Sequence, residues 1–130
     1  MARDRLAMTE MTMAKDGENE IAVPQAWRPT LAAIVDALIQ GGEPSLPRVT
    51  LQAPDVWASA RDSIRAYGAR LKRLPDESWS SSVCIWYGGF WNVLVDLYTE
   101  EEGRSDLVLQ AHVYEVGEGY RYEVVLVYVP

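Results

Sequence analysis

The sequence is short of the residues that most often announce a chemistry: among 130 residues there is one cysteine, Cys84, and one histidine, His112. A lone cysteine excludes an internal disulfide framework and a multi-cysteine zinc site, and it suits a reducing, cytoplasmic compartment. Basic residues are also scarce, with twelve Lys and Arg against nineteen Asp and Glu, for a formal net charge of −7. That sign repels a phosphate backbone, so nucleic acid is not an expected partner. No apolar run approaches the roughly eighteen residues of a membrane span, and the opening residues lack the apolar centre of a signal peptide, so neither a membrane anchor nor export is expected. A P-loop, a Rossmann glycine pattern, a GxSxG elbow and a Cys/His metal array are all missing, and no cofactor or metal is expected.

What is present is the composition of an ordinary globular domain, 48% hydrophobic and 24% charged. A chain of this length buries roughly two-thirds of its unfolded surface, enough for a core without staples. Residues 1–20 mix charges with Met and Thr without a period and read as a flexible tail, leaving 21–130 as a single domain. Charge along the chain is uneven. Residues 57–74 carry five bases against Asp62 alone, whereas residues 96–123 carry eight acids against Arg104 and Arg121.

Two stretches have helical spacing. In VPQAWRPTLAAIVDALIQGG, the residues Trp27, Leu31, Ile34, Val35, Leu38 and Ile39 fall on one face, Pro29 suits a first turn, and Gly41-Gly42 suits a left-handed cap. A helix is expected over 29–40. After a proline-marked loop at 43–54 with one edge strand, Asp55 offers an N-cap for a second helix over 56–73, striped by Val56, Ala60, Ile64, Tyr67, Leu71 and Leu74.

From Ser81 onward the period becomes two. Four strands are expected, over 82–87, 90–98, 107–115 and 120–129, joined by Gly88-Gly89 and two short loops. Loops that short permit only antiparallel neighbours. The expected fold is α+β, with two N-terminal helices packed on one face of a four-stranded antiparallel meander sheet. Alternation assigns Trp91, Val93, Val95 and Leu97, then Leu107, Leu109, Ala111 and Val113, then Tyr120, Tyr122, Val124, Leu126 and Tyr128 to the side under the helices. The far side is mixed polar and aromatic.

Hairpin counting places His112 opposite Glu123 and Tyr114 opposite Arg121, with Asp96 on the same face one strand over. A His–carboxylate pair can serve as a general base, since imidazole titrates near neutral pH; it can equally be a cross-strand structural pair. Cys84 falls opposite Val93 on the buried side, so parity separates it from His112 and argues against a dyad. Glu100, Glu101, Glu102 and Asp106 form an acidic loop whose consecutive carboxylates diverge, which fits an anionic handle for a basic protein better than a metal site. Five tryptophans, with Trp79, Trp86 and Trp91 within thirteen residues, are core material first and contact residues second.

The segment WSSSVCIWYGGFWNVLVDLYTEEEGRSDLVL, with YRYEVVLVYVP and VPQAWRPTLAAIVDAL, resembles a small bacterial domain family of unknown function. The resemblance spans about residues 23–130 and rests on Trp27-Arg28-Pro29, Ser82-Val83-Cys84, Trp86, Val95-Asp96-Leu97, the run 101–106 and Val127-Tyr128-Val129-Pro130. It implies one compact domain and brings no activity, cofactor or catalytic residue. Three readings of function remain open. The first is an immunity-like binding protein acting through Glu100, Glu101, Glu102 and Asp106, with Tyr114 as a further contact. The second is a small-molecule-binding or hydrolytic domain around Asp96, His112, Tyr114 and Glu123, and the third a structural homodimer.

Overall fold

Alternating apolar residues from Trp91 to Tyr128 build the framework on which every other element is laid. The computed structural model describes residues 14–130. In chain order the elements are β1 (Ile21–Ala22), a 3-10 turn (Gln25–Trp27), α1 (Arg28–Gln40), β2 (Val49–Leu51), α2 (Val56–Tyr67) and β3 (Leu71–Lys72). A second 3-10 turn (Asp76–Ser80) leads into β4 (Val83–Trp86), β5 (Trp91–Thr99), β6 (Gly103–Val116) and β7 (Gly119–Tyr128). The expected class, α+β with two helices and a mostly antiparallel sheet, is present.

The expected count of four strands is corrected. The meander β4–β5–β6–β7 is antiparallel throughout, but the sheet has seven strands in the order β1-β4-β5-β6-β7-β2, with β3 also on β5. One pairing is parallel, β2 alongside β7, with Val49 opposite Tyr122 and Leu51 opposite Val124. Of the three strands beyond the meander, β2 falls in the 43–54 stretch where one edge strand was expected, whereas β1 and β3 are two residues long and too short to show alternation; the partners of all three lie far away in sequence. The tail reading of residues 1–13 lies outside the described residues. Residues 14–20 are exposed and run past the sheet end, where Lys15 pairs with Glu115 at 2.8 Å and sits over the Trp86 ring.

Helix α1 begins one residue before the expected start and ends where glycine permits it, with Gly41 in the left-handed region at φ 87°. Helix α2 is shorter than expected. Gly68 adopts φ 86° and ends it at Tyr67, six residues early, and the freed chain supplies β3. Asp55 occupies the N-cap position with φ −92° and ψ 0°, but its side chain makes no capping bond.

Leu31, Ile34, Val35 and Leu38 of α1 and Val56, Trp57 and Ala60 of α2 join one buried cluster with Trp91, Val93, Val95, Leu97, Leu109, Ala111 and Val113. Trp27 is packed between Trp91 and Tyr120, with ring centroids 5.9 and 5.7 Å away. Its indole N–H has no partner among the described residues. Ile39, placed on the helix stripe by spacing, is 40% exposed at the end of the helix.

Parity fails once, and informatively. Between the pairs Gln110–Leu126 and Ala111–Val124 the register shifts, because Val125 is an extra residue on β7. Tyr122 and Val124 face the core as alternation predicts. Beyond the bulge the sides exchange, so Val127 is fully buried and Leu126, assigned to the core by alternation, is 37% exposed. A second irregularity opposes Leu97 to Ser105, Asp106 and Leu107. There the Ser105 hydroxyl donates to Leu97 O at 2.8 Å and accepts from Leu107 N at 3.1 Å, replacing the ladder bonds that the bulge removes.

Candidate functional site

On the sheet face away from the buried cluster, hairpin geometry brings His112, Tyr114, Arg121 and Glu123 together. His112 pairs with Glu123 and Tyr114 with Arg121 across β6 and β7. His112 Nδ1 lies 3.1 Å from Glu123 Oε1, and the Tyr114 hydroxyl donates to the same oxygen at 3.2 Å. Phe90 covers the imidazole, ring centroids 4.1 Å apart, and the Arg121 guanidinium sits 4.0 Å over the Tyr114 ring. Beside them Gln110 Nε2 donates to Asn92 Oδ1 at 2.8 Å. Burial, with the Glu123 carboxylate adding to it, raises the Tyr114 phenol above its ordinary value. His112 is only 8% exposed. The cluster's polar atoms are largely satisfied by one another, which makes it stiff and leaves little room for a substrate.

Asp96 does not belong to this cluster. It shares the face, but His112 is opposite Asn92, and Asp96 lies four residues further along β5, opposite Val108. At about 3.3 Å per residue that separates them by roughly 13 Å. Asp96 is held by a serine group that sequence reasoning did not single out. Ser78 Oγ donates to Asp96 O at 2.7 Å, Asp96 N donates to Ser82 Oγ at 2.9 Å, and Ser81 Oγ donates to the Asp96 carboxylate. Arg104 Nε is 3.8 Å from that carboxylate. The run Ser80-Ser81-Ser82 after Trp79 was the visible signal, since short hydroxyl side chains in a turn seek backbone partners.

The acidic loop is a tight three-residue turn closed by the pair Thr99–Gly103. Two of its carboxylates are engaged within the molecule. Glu101 accepts from Arg70 N and Nε at 2.9 and 3.0 Å, bonds that hold its carboxyl below the usual range. Glu102 accepts from the Tyr67 hydroxyl at 3.0 Å and from Thr99 at 3.2 Å. Asp106 N donates to that same Tyr67 hydroxyl. Glu100 and Asp106 are exposed, and their carboxylates have no side-chain partner among the described residues. No group of acids, His and Cys suited to a metal ion occurs among the described residues.

Cys84 is buried opposite Val93, as hairpin counting predicts. Burial pushes its thiol up to about 12, so it is protonated and inert at neutral pH.

Clefts also occur away from the His112 cluster. One, of about 410 Å³, lies between the start of α1, the loop before β2 and the start of β7, with Arg48, Tyr120 and Tyr122 on its wall. Its residues come from three separated segments, and the positive φ that bends Arg48 has no sequence signal in a non-glycine residue.

Fold and site together describe an α+β domain with one sheet face built into the core and the other carrying a self-satisfied aromatic and polar cluster. The chain belongs to the family described as the domain of unknown function DUF7668, whose model matches residues 35–130. Trp27-Arg28-Pro29 lies ahead of the matched span. No curated protein and no solved structure matches the chain. No described helix is long and apolar enough to cross a membrane.

Proposed function

We propose that the domain is a non-catalytic protein-binding module that docks through the second face of its sheet, and that the occupant is a second copy of the chain. The observation carrying this reading is a run of apolar side chains that take no part in the core. Val83, Ile85 and Leu94 are only half-buried, and they continue to Tyr128 and to the exposed Leu126. Gln110 stands between Leu94 and Leu126 in the register, with Val108 beside it on the same face, and apolar side chains left outside the core cluster support an interaction surface.

Charge selects the occupant. On this face Asp96 is paired with Arg104, and Arg121, stacked on Tyr114, offsets in number the charge of Glu123, while the chain as a whole carries −7. Two copies repel one another on most approaches, and this near-neutral face is where they meet without opposing like charges. A two-fold pairing of the same face is also closed, so assembly stops at two. The His112 cluster is then a rigid floor for the contact and not a general base. The buried, unpaired Cys84 supports placing the protein in a reducing, cytoplasmic setting.

Sedimentation equilibrium of the full chain tests the reading. A mass twice the 14.6 kDa of one chain is expected, falling to a single chain in Leu126→Asp, whose far-ultraviolet circular dichroism stays native. A monomer at every concentration overturns the reading. It would return attention to an immunity-like role in which exposed Glu100 and Asp106 meet a basic protein.

A further inference from the structure

We propose that the cleft at Arg48 is a binding site for a small organic acid, with the carboxylate on the Arg48 guanidinium and a flat apolar body against Leu46, Pro47 and Tyr120. The proposal is independent of the docking face, since the cleft lies on the α1 side of the sheet.

Three observations meet at this place. The first is backbone strain. Arg48 is the one non-glycine among the described residues with a positive φ, at 61°. Left-handed backbone is unfavourable for a residue that carries a side chain, and such residues concentrate at ligand sites. Part of the constraint is structural, because Arg48 O accepts from Tyr122 N at 2.8 Å and starts the β2–β7 ladder. That bond needs only the backbone, which glycine would supply without strain, so it does not account for an arginine.

The second observation is where the guanidinium sits. It lies over Gly119, where an added Cβ would overlap Arg48 Nη1. The bare glycine of the β6–β7 hairpin therefore makes the space that the head group occupies. Arg65, Arg70, Arg73 and Arg104 each have a carboxylate partner. Arg48 has none among the described residues, in a chain with seven excess acids. Arg48 is exposed, and a guanidinium without a carboxylate partner is free to take one through two parallel hydrogen bonds.

The third is the lining. Ala26, Pro29, Ala33, Leu46 and Pro47 make the walls apolar, while Thr30 and Tyr122 add two hydroxyl groups. Tyr122 is 5% exposed, and burial raises its phenol above the ordinary value, so it remains a neutral donor. A cleft of about 410 Å³ with apolar walls and a few converging polar groups has the make-up of a small-ligand site. The excess of acids elsewhere keeps the anion from binding at random.

The test is nitrogen-15 NMR titration of the full chain with phenylacetate, benzoate and hexanoate, each beside its neutral amide. At least one acid is expected to shift the resonances of Thr30, Arg48, Gly119 and Tyr120 in a saturable way, with its amide about tenfold weaker or worse. Arg48→Gly should abolish that preference while keeping the fold, because glycine accepts the φ that strains arginine. Gly119→Ala should weaken binding by pushing the head group out of place. The proposal is overturned if acids and amides bind alike, if Arg48→Gly binds the acid as tightly as the parent, if the shifts map elsewhere, or if no acid binds up to about 10 mM.

Discussion

The two faces of the sheet solve the same problem in different ways. On one, Trp91, Val93, Val95 and Leu97 of β5 are fully buried beneath side chains contributed by both helices. On the other, Asn92 meets the Gln110 amide and Asp96 meets serine and arginine partners, while Leu94 between them is half-buried. The first face draws its stability from removing apolar area from water, and the second from satisfying polar groups locally while leaving aliphatic area bare. One strand thus serves a hydrophobic core and a mixed polar and aliphatic face, and the pleat alone keeps them apart.

The sharpest way to break the comparison is at the bulge, where adjacent residues belong to opposite faces. Val127→Asp should cost about 4 kcal/mol or more, since it buries a carboxylate without a partner. Leu126→Asp should cost under about 1 kcal/mol when both are measured by denaturant unfolding at concentrations low enough to hold single chains. A larger cost at Leu126 than at Val127 would mean that the register shift is absent. Next in size is Ser82→Ala. It leaves Asp96 N without its acceptor at a nearly buried position and should cost about 1–3 kcal/mol. A smaller loss would place water at that position in the folded chain.

The smallest effect belongs to the sheet ends and appears with pH. Backbone and side-chain bonds from Arg70 lower the Glu101 carboxyl below its ordinary 4.5, and the Lys15 bond does the same for Glu115. A carboxyl whose folded value is depressed contributes stability that is present above the unfolded value and is lost as pH falls through the folded one. Thermal midpoints should therefore decline below about pH 4.5, and Glu101→Gln should flatten part of that decline. Both groups are solvent-accessible, so the changes will be modest.

Much of the second half of the chain was legible because turn length fixes register. The two glycines set Cys84 opposite Val93, and the 116–119 turn set His112 opposite Glu123. Neither result needed any knowledge of distant residues. What could not be read depended on distance or on one residue's backbone. β2 lies some seventy residues from β7 in the chain, the extra Val125 is chemically indistinguishable from its neighbours, and Gly68 ends a helix whose apolar spacing continues to Leu71. The His112–Glu123 pair was foreseen for the same reason as the strands. The Arg48 cleft was not, because it exists only once three segments have met.

The long edge of β5 that faces β4 is shared by two short strands, β4 along residues 91–94 and β3 at residues 98–99. Between them Asp96 would present a bare N–H and C=O to any passing strand. Ser82 and Ser78 occupy that gap and bind both groups with side-chain hydroxyls, so a serine turn completes a rung that no backbone reaches. The outermost strands β1 and β2 are only two and three residues long, and β2 is flanked by Pro47 and Pro54. Strands this short offer little template for strand addition, the step that begins fibrous aggregation, and β2 covers residues 122–124 of the β7 edge. At Asp96, therefore, the gap in the backbone ladder of β5 is filled by side chains, and a passing strand finds both groups already bonded.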